Sequence, residues 1–225
     1  MKRFLLLVAL FPSFAFAESC PALFLNGKEP TTEKPSVTLC QEAYAVGFSK
    51  EMKEPIWSAE HLTRKSVMEA QALHGREAFH EDIKISSEYQ AMLADYKGSG
   101  WARGHMTPSG DMPNKSARME CFALTNIVPQ DMKMNSGVWN ALEQKTRTEA
   151  KKSGDIYVVT GPAYLSDKGV IGYSKLSIPS HIWKAVYNVK QGKSYAVICE
   201  NQAESQCKRE PVSDLEKEIG VKVFS

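Results

Sequence analysis

Two stretches of the chain carry side chains of the types that metal-dependent hydrolysis of a phosphodiester requires. The first contains Arg103 and His105, separated by a glycine, and the second begins at Asn135. A histidine has a pKa suited to taking a proton from water, and an arginine can hold phosphate oxygens in a fixed orientation. Asn135 offers an amide oxygen, and Mg²⁺ prefers one or two such ligands beside waters. The residue types therefore favour phosphodiester hydrolysis.

The residues after Asn135 predict a helix with polar side chains along the side that faces the expected site. Asn135 or Ser136 would cap a helix over about residues 137–152. Glu143 and Arg147 follow Asn135 at multiples of four residues, and each such step advances only about 40° around a helix. An amide, a carboxylate and a guanidinium would therefore share one stripe. Because they are four apart, Glu143 and Arg147 also have the spacing of an ordinary surface ion pair.

The opposite side of this helix is expected to enter the core. Val138 and Leu142, also four residues apart, would supply the apolar contacts. The histidine is expected in a glycine-rich loop beside the helix. The helix would then aim its polar stripe inward, toward that loop.

The motifs resemble those of the DNA/RNA non-specific endonuclease family, the ββα-metal nucleases. That family shows Asp-Arg-Gly-His, then Asn-Ile-x-Pro-Gln, then Asn-x-Gly-x-Trp with a glutamate eight residues after its asparagine. Four segments match in order, and together they place the resemblance over about residues 44–200. They are residues 102–105 (Ala-Arg-Gly-His), 126–130 (Asn-Ile-Val-Pro-Gln), 135–139 (Asn-Ser-Gly-Val-Trp, with Glu143) and 157–162 (Tyr-Val-Val-Thr-Gly-Pro).

The resemblance implies a role for each matching residue. His105 would be the general base that activates water. Asn135 would be the one direct protein ligand of Mg²⁺, for which Mn²⁺ is a possible substitute. Glu143 would hold a metal-bound water. Arg147 would contact phosphate or support Glu143.

Three further residues follow from the same resemblance. Arg103 would contribute to the phosphate clamp, and Arg76 resembles the upstream arginine that stabilises the pentacoordinate phosphate. Asn126 would support the site from the neighbouring strand. The implied activity is cleavage of DNA and RNA to 5′-phosphate and 3′-hydroxyl ends, with a possible homodimer as the assembly.

One position departs from the family motif. Ala102 stands where the family has aspartate, a residue that orients its neighbours and does not bind the metal. The departure puts the positioning of the base in doubt. It motivates an alternative of another class, a weakened or inactive relative that binds nucleic acid without cutting it.

Length and composition fit a single globular domain. The chain has 225 residues, of which 43% are hydrophobic and 24% charged, so it can bury a sizeable core. Lysine and arginine number 28 against 26 acidic residues. This balance excludes a protein that holds nucleic acid by bulk positive charge.

The N-terminal residues have the pattern of a secretory signal peptide. Lys2 and Arg3 precede a short apolar run, and residues 15–17 read Ala-Phe-Ala. Cleavage after Ala17 is expected, with an uncleaved anchor or a buried helix as the alternative. Residues 18–225 would then form one domain with no membrane segment, secreted or periplasmic, with 26 basic and 26 acidic residues, since 28 − 2 = 26.

The five cysteines all lie beyond this segment, and an oxidising compartment would permit disulfides. Cys20–Cys40 and Cys199–Cys207 are the pairs that position suggests, although other pairings stay open. Cys121 would be free in a buried strand over residues 121–128. No CxxC or HExxH motif occurs, so zinc has little support.

The pattern of apolar residues predicts an α+β domain, and the resemblance adds a ββα-metal (His-Me finger) motif on a mixed or antiparallel sheet. Other strands are expected over residues 44–48, 56–62, 156–160, 181–187 and 194–199. Other helices are expected over residues 87–96, 115–120 and 213–219.

Overall fold

The structure, a computed structural model, describes residues 20–224. The expected signal peptide, with cleavage after Ala17, lies outside the described residues. The strands are β1 (Thr31–Thr32), β2 (Val37–Cys40), β3 (Tyr44–Ser49), β4 (Glu54–Thr63), β5 (Ala102–His105), β6 (Ile127–Gln130), β7 (Asp155–Ala163), β8 (Val170–Ile171), β9 (Leu176–Ser177), β10 (His181–Asn188), β11 (Lys193–Glu200), β12 (Cys207–Glu210) and β13 (Val221–Lys222). The helices are α1 (Arg64–Ala72), α2 (Leu93–Tyr96), α3 (Lys115–Cys121), α4 (Met132–Met134), α5 (Asn140–Ser153) and α6 (Val212–Ile219).

A seven-stranded sheet organises the molecule, in the order β12-β11-β10-β7-β4-β3-β2. Every neighbouring pair in it is antiparallel. The α+β class is therefore confirmed, and so are the sheet strands predicted over residues 44–48, 56–62, 156–160, 181–187 and 194–199.

The two faces of this sheet carry different layers. On one face Trp57 and Trp183 pack with Leu215 of α6 in a large apolar cluster. On the other face the hairpin β5–β6 and the helix after it are packed through a cluster that includes Trp139 and Ile182. The second layer holds the motif residues, so the sheet is the platform under the candidate site.

The strand predicted over residues 121–128 is wrong except at its last two residues, because β6 begins at Ile127. Asn114 caps α3, since its side chain accepts a hydrogen bond from Ala117 N at 3.0 Å, and the helix runs on through Cys121. A 3₁₀ turn, Leu124–Asn126, separates this helix from β6. Cys121 is free as expected, but it is buried at a helix end.

Two other stretches differ because local side-chain bonds decide them. Thr63 and Ser66 form a reciprocal capping box, which starts the unpredicted α1 in a polar sequence that has no clear apolar period. The single helix expected over residues 87–96 is divided into a 3₁₀ turn and α2. Asp95 accepts a hydrogen bond from Met92 N at 2.8 Å, which starts a separate turn there.

Both expected disulfides are present. Cys20–Cys40 ties the N-terminal turn to the edge strand β2, and Cys199–Cys207 links partners in the β11–β12 pair. Within residues 20–224 no helix combines the length and the apolar character needed to cross a membrane.

Candidate active site

The hairpin β5–β6 carries His105. Its register pairs Ala102 with Gln130 and His105 with Ile127, so His105 lies on a strand and not in the loop that its glycine-rich surroundings suggested. Gly104 allows the two strands to pack closely, because a Cβ there would lie 2.1 Å from Gln130 Oε1. Gln130 is fully buried and cannot swing into solvent.

We expect Gly104→Ala to disturb the site through this contact. The added methyl must displace either the buried Gln130 side chain or the strand between Arg103 and His105, and overpacking of this kind costs about 1–3 kcal/mol. Thermal unfolding and nuclease assays of the variant measure the two effects. An alanine at Gly137, where a Cβ would meet nothing within 4 Å, is the matched control. Unchanged stability and activity in Gly104→Ala would contradict the role of this packing.

The helix that follows β6 starts earlier than the sequence indicated. Asp131 is its cap, because its side chain accepts hydrogen bonds from Lys133 N and Met134 N. The helical path continues through a π turn, Asn135–Trp139, into α5. The expectation that Asn135 or Ser136 caps the helix is therefore wrong.

The earlier start changes the state of the Asn135 side chain. Among residues 20–224 it has no hydrogen-bond partner, and the residue is partly exposed. Extra-wide π turns inside helices recur at functional sites. Asn135 thus presents a free amide at the start of the motif helix. If Asn135 were the helix cap, its side-chain oxygen would instead accept a hydrogen bond from a backbone N–H.

The buried side of this helix is also different from the expectation. Val138 is 40% exposed, whereas Trp139 is fully buried and Leu142 only packs at the edge of the same cluster. The π turn adds a residue to one helical turn. The side chains around it therefore lie on other sides of the helix than a regular α-helix would give. The inward direction of the polar stripe is nevertheless as expected, since Arg147 reaches a buried acid.

Arg147 is paired with Asp111 and not with Glu143. Its Nη1 donates to Asp111 Oδ1 at 2.7 Å, and Asp111 is 2% exposed. Gly110 lies directly beneath, because a Cβ there would be 2.9 Å from Arg147 Nη1. Asp111 comes six residues after His105, in the segment that follows β5. The ion pair therefore joins the motif helix to that segment.

Asn126 lies in the 3₁₀ turn before β6 and not in the strand expected for it. It is fully buried, and its side chain bonds only the backbone. Its Oδ1 accepts from Thr107 N at 3.0 Å, and its Nδ2 donates to Thr107 O and Cys121 O. Asn126 therefore fixes the chain just after His105 and has no group left for a ligand.

The two other arginines meet His105 around one aromatic ring. The guanidinium carbons of Arg76 and Arg103 lie 5.7 Å and 5.3 Å from the centre of the Phe79 ring. The His105 ring lies 5.2 Å from Phe79 and 4.7 Å from Phe122. The structure thus brings Arg76, from a separate segment of the sequence, next to the Arg103 and His105 of one motif.

The imidazole of His105 is held neutral. Its Nε2 is buried and has no hydrogen-bond partner among the described residues. Burial and then the positive charge of Arg76 lower the pKa of His105 to about 3. A free nitrogen on a neutral ring is the state that a proton acceptor needs.

We expect His105 to remain neutral in the free protein down to strongly acidic pH. Nuclear magnetic resonance of the imidazole carbons should show the His105 signals changing only near pH 3. Since the folded protein then binds fewer protons than the unfolded chain between about pH 3 and 6.5, this group lowers stability as pH falls through that window. Titration of His105 near pH 6.5 would contradict this.

A buried charged cluster under the helix was missed by sequence reasoning. Glu60 of β4 and Lys184 of β10 are each 1% exposed, and Lys184 Nζ donates to Thr160 Oγ1 at 2.6 Å. Both oxygens of Glu60 lack a hydrogen-bond partner among the described residues. The only sequence signal was an isolated charge within each apolar strand.

This cluster acts on the motif carboxylate. Burial raises the pKa of Glu143 to about 7, while the charge of Lys184 opposes that shift and the charge of Asp111 adds to it. Burial also raises the pKa of Glu60, with Asp111 adding to the shift and Lys184 opposing it. Lys184 therefore provides buried positive charge for two acids.

We expect Lys184→Met to lower the free energy of unfolding by about 3 kcal/mol, because loss of one partner leaves buried acids without their cation. Chemical denaturation measures the change. The double variant Glu60→Gln/Lys184→Met should recover part of the loss, because one of the acids is then removed. A double variant no more stable than Lys184→Met would show that Glu60 is not its partner.

The side chains near the motif helix fit a hard divalent cation with few protein ligands. Asn135 offers an unbonded amide oxygen, and Glu143 supplies a half-buried carboxylate two helical turns further on. Among the described residues no group of three or more His, Cys, Asp or Glu side chains could enclose a metal. Oxygen donors with room for several waters suit Mg²⁺ better than a closed zinc site.

The hairpin, the helix after it and their placement on an antiparallel sheet define a ββα-metal nuclease fold. The model of the DNA/RNA non-specific endonuclease family matches residues 24–225. The chain belongs to this family.

Individual relatives agree with this family assignment. The chain is 36% identical over 159 residues to the human mitochondrial nuclease EXOG, covering 65% of this chain and 43% of that protein. It is 33% identical over 178 residues to nuclease C1 of Cunninghamella echinulata var. echinulata, covering 72% and 71%. A crystal structure of the EndoG/EndoGI complex contains a chain with a TM-score of 0.72 and 25% identity, covering 83% of this chain and 85% of that one.

The matches also show a difference in length. The chain spans about half the length of the vertebrate EXOG relatives it matches.

Proposed function

We propose that this protein is a metal-dependent endonuclease that cuts DNA and RNA with little sequence preference. The observation that carries the proposal is the grouping of His105 and Arg103, on the hairpin that leads into the Asn135 helix, with Arg76. Among the described residues His105 Nε2 has no hydrogen-bond partner and neither arginine forms an ion pair. Contacts made to phosphate and not to base edges give weak sequence discrimination.

The reaction is hydrolysis of the phosphodiester. His105 Nε2 accepts the proton of a water that attacks phosphorus in line with the leaving 3′ oxygen, giving 5′-phosphate and 3′-hydroxyl ends. Arg76 and Arg103 hold the non-bridging oxygens, because their guanidiniums have no carboxylate partner in the described chain. Arg147 is held by Asp111 and supports the carboxylate of Glu143.

Substrate binding also prepares the base. Part of the low pKa of His105 comes from the charge of Arg76. A phosphodiester anion bound at Arg76 and Arg103 offsets that charge, and the pKa of His105 rises toward the neutral range where a general base is most effective. The arginines thus bind the substrate, and the bound substrate in turn raises the basicity of His105.

The divalent cation would be held by Asn135 directly and by Glu143 through water, with Mg²⁺ as the favoured ion and Mn²⁺ as a substitute. When bound, it neutralises charge on the phosphate and on the departing oxygen. The free amide of Asn135 supports this assignment.

The experiment that tests the function is digestion of plasmid DNA and of an RNA transcript with Mg²⁺ and with excess EDTA. We expect degradation of both with Mg²⁺ and none with EDTA. Shifted but uncut DNA would instead support a binding protein, the alternative that Ala102 motivates. Intact plasmid with hydrolysis of a chromogenic diester would support a phosphodiesterase of small substrates.

We propose further that the mature protein acts outside the cytoplasm, as a secreted or periplasmic enzyme. The pattern of residues 1–17 supports export, and two disulfides suit an oxidising compartment. Mass spectrometry of protein from the culture medium or periplasm should find Glu18 as the first residue. We also propose that the protein forms a homodimer, and light scattering of the purified protein tests this.

A further inference from the structure

We propose that Phe79 is a positioning residue that holds Arg76 and Arg103 in reach of the substrate phosphate and supports the ring of His105. This inference rests on the proposed function. Phe79 belongs to none of the matched motifs, and it lies in the segment between α1 and α2.

The position of the Phe79 ring relative to both arginines carries the inference. The guanidinium carbon of Arg103 lies 5.3 Å from the ring centre, and that of Arg76 lies 5.7 Å from it. Both distances lie within the range of a cation–π contact, in which the negative face of the ring attracts the cation. Phe79 therefore contacts two guanidiniums from residues 27 positions apart in the chain, and Arg103 also lies 5.7 Å from the centre of the Tyr96 ring.

This way of holding an arginine leaves its charge available. Arg147 is fixed by the carboxylate of Asp111 at 2.7 Å, which neutralises it. Arg76 and Arg103 form no ion pair among the described residues, and the one side-chain bond of Arg103 goes to Leu93 O at 3.4 Å. An aromatic support fixes a guanidinium and keeps its positive charge and most of its donors for phosphate oxygens.

The ring itself is fixed. It lies 4.9 Å from the buried Phe122 ring, and the next residue, His80, is bonded to the end of α3. His80 N donates to Phe122 O at 3.2 Å, and Leu124 N donates to His80 O at 2.9 Å. His80 is thus a structural residue, and its bonds hold Phe79 in register with the base.

The test compares two replacements. Phe79→Leu keeps apolar volume and removes the ring face, and Phe79→Tyr keeps both. We expect Phe79→Leu to lower kcat/KM on plasmid about tenfold, as the loss of two cation–π contacts implies, and Phe79→Tyr to stay within about twofold. Tyr89→Leu is the matched control, because it removes a ring that lies 5.7 Å from Lys50 and outside the Phe79 group.

A second measurement separates this role from a purely structural one. Fluorescence anisotropy of a labelled oligonucleotide in EDTA reports binding without cleavage, so it also remains informative if the proposed hydrolysis fails. We expect Phe79→Leu to weaken binding in the wild-type background and to have little further effect in Arg76→Ala/Arg103→Ala. Thermal unfolding of each variant accompanies the measurement, and Phe79→Met replaces Phe79→Leu if the leucine variant does not fold.

Two results would overturn the proposal. One is equal loss in Phe79→Leu and Phe79→Tyr, since the ring face is then irrelevant. The other is an undiminished effect of Phe79→Leu when both arginines are absent, because the residue would then act by packing alone.

Discussion

His105→Ala should lower the rate of plasmid cleavage by about 100- to 10,000-fold at saturating Mg²⁺, the usual contribution of a general base. The side chain lies on β5 with an unbonded Nε2. The neighbouring His80 has both ring nitrogens bonded to backbone oxygens, those of Glu81 and Met119. Initial rates over a range of substrate concentrations measure the loss. The loss should fall on kcat, because the arginines that bind phosphate remain.

The control for this variant is His74→Ala, which removes an exposed histidine without a side-chain partner among the described residues. Its rate should equal that of the wild type. Unfolding curves should show that His105→Ala is folded. A folded His105→Ala protein that cuts at more than a tenth of the wild-type rate would show that another group activates the water.

Asn135→Ala should have the second large effect, about 100-fold or more in rate together with a higher requirement for Mg²⁺. The variant removes the unbonded amide oxygen at the start of the motif helix, and the cation would be left with water-mediated contact to Glu143. The Mg²⁺ concentration that gives half-maximal rate measures the affinity. Asn135→Asp keeps an oxygen at the same place and should retain more activity than the alanine variant.

Ser136→Ala is the neighbour that serves as control. Its hydroxyl donates to Met132 O at 2.8 Å, so the change affects the same turn without touching an expected ligand. The Mg²⁺ requirement should be unchanged. Equal effects of Ser136→Ala and Asn135→Ala would assign the loss to the turn and not to metal binding.

The sequence predicted the sheet strands well because their apolar residues alternate or run continuously against a buried partner. β4, β7, β10 and β11 all contain such runs. It predicted the motif helix for the same reason, but not where the helix begins. The side chain of Asp131 caps the helix, and a π turn follows. Neither feature produces a periodic pattern of apolar residues from which it could be predicted.

The surroundings of the site were less predictable, because they depend on which strands become neighbours. Lys184 faces Thr160 only because β10 pairs with β7 in that register. Glu60 likewise shares its cluster with Asp111 only after β4 is placed under the hairpin. The position of His105 on a strand depends on its pairing with Ile127, which comes from a segment 22 residues later.

Metal binding by Asn135 is tested most directly by an anomalous diffraction map from crystals soaked in Mn²⁺. We expect a single strong peak in contact with the side-chain oxygen of Asn135, on the side of the helix that faces His105. We expect that peak to vanish in Asn135→Ala crystals. A peak elsewhere, with no density at Asn135 in crystals of active protein, would contradict it.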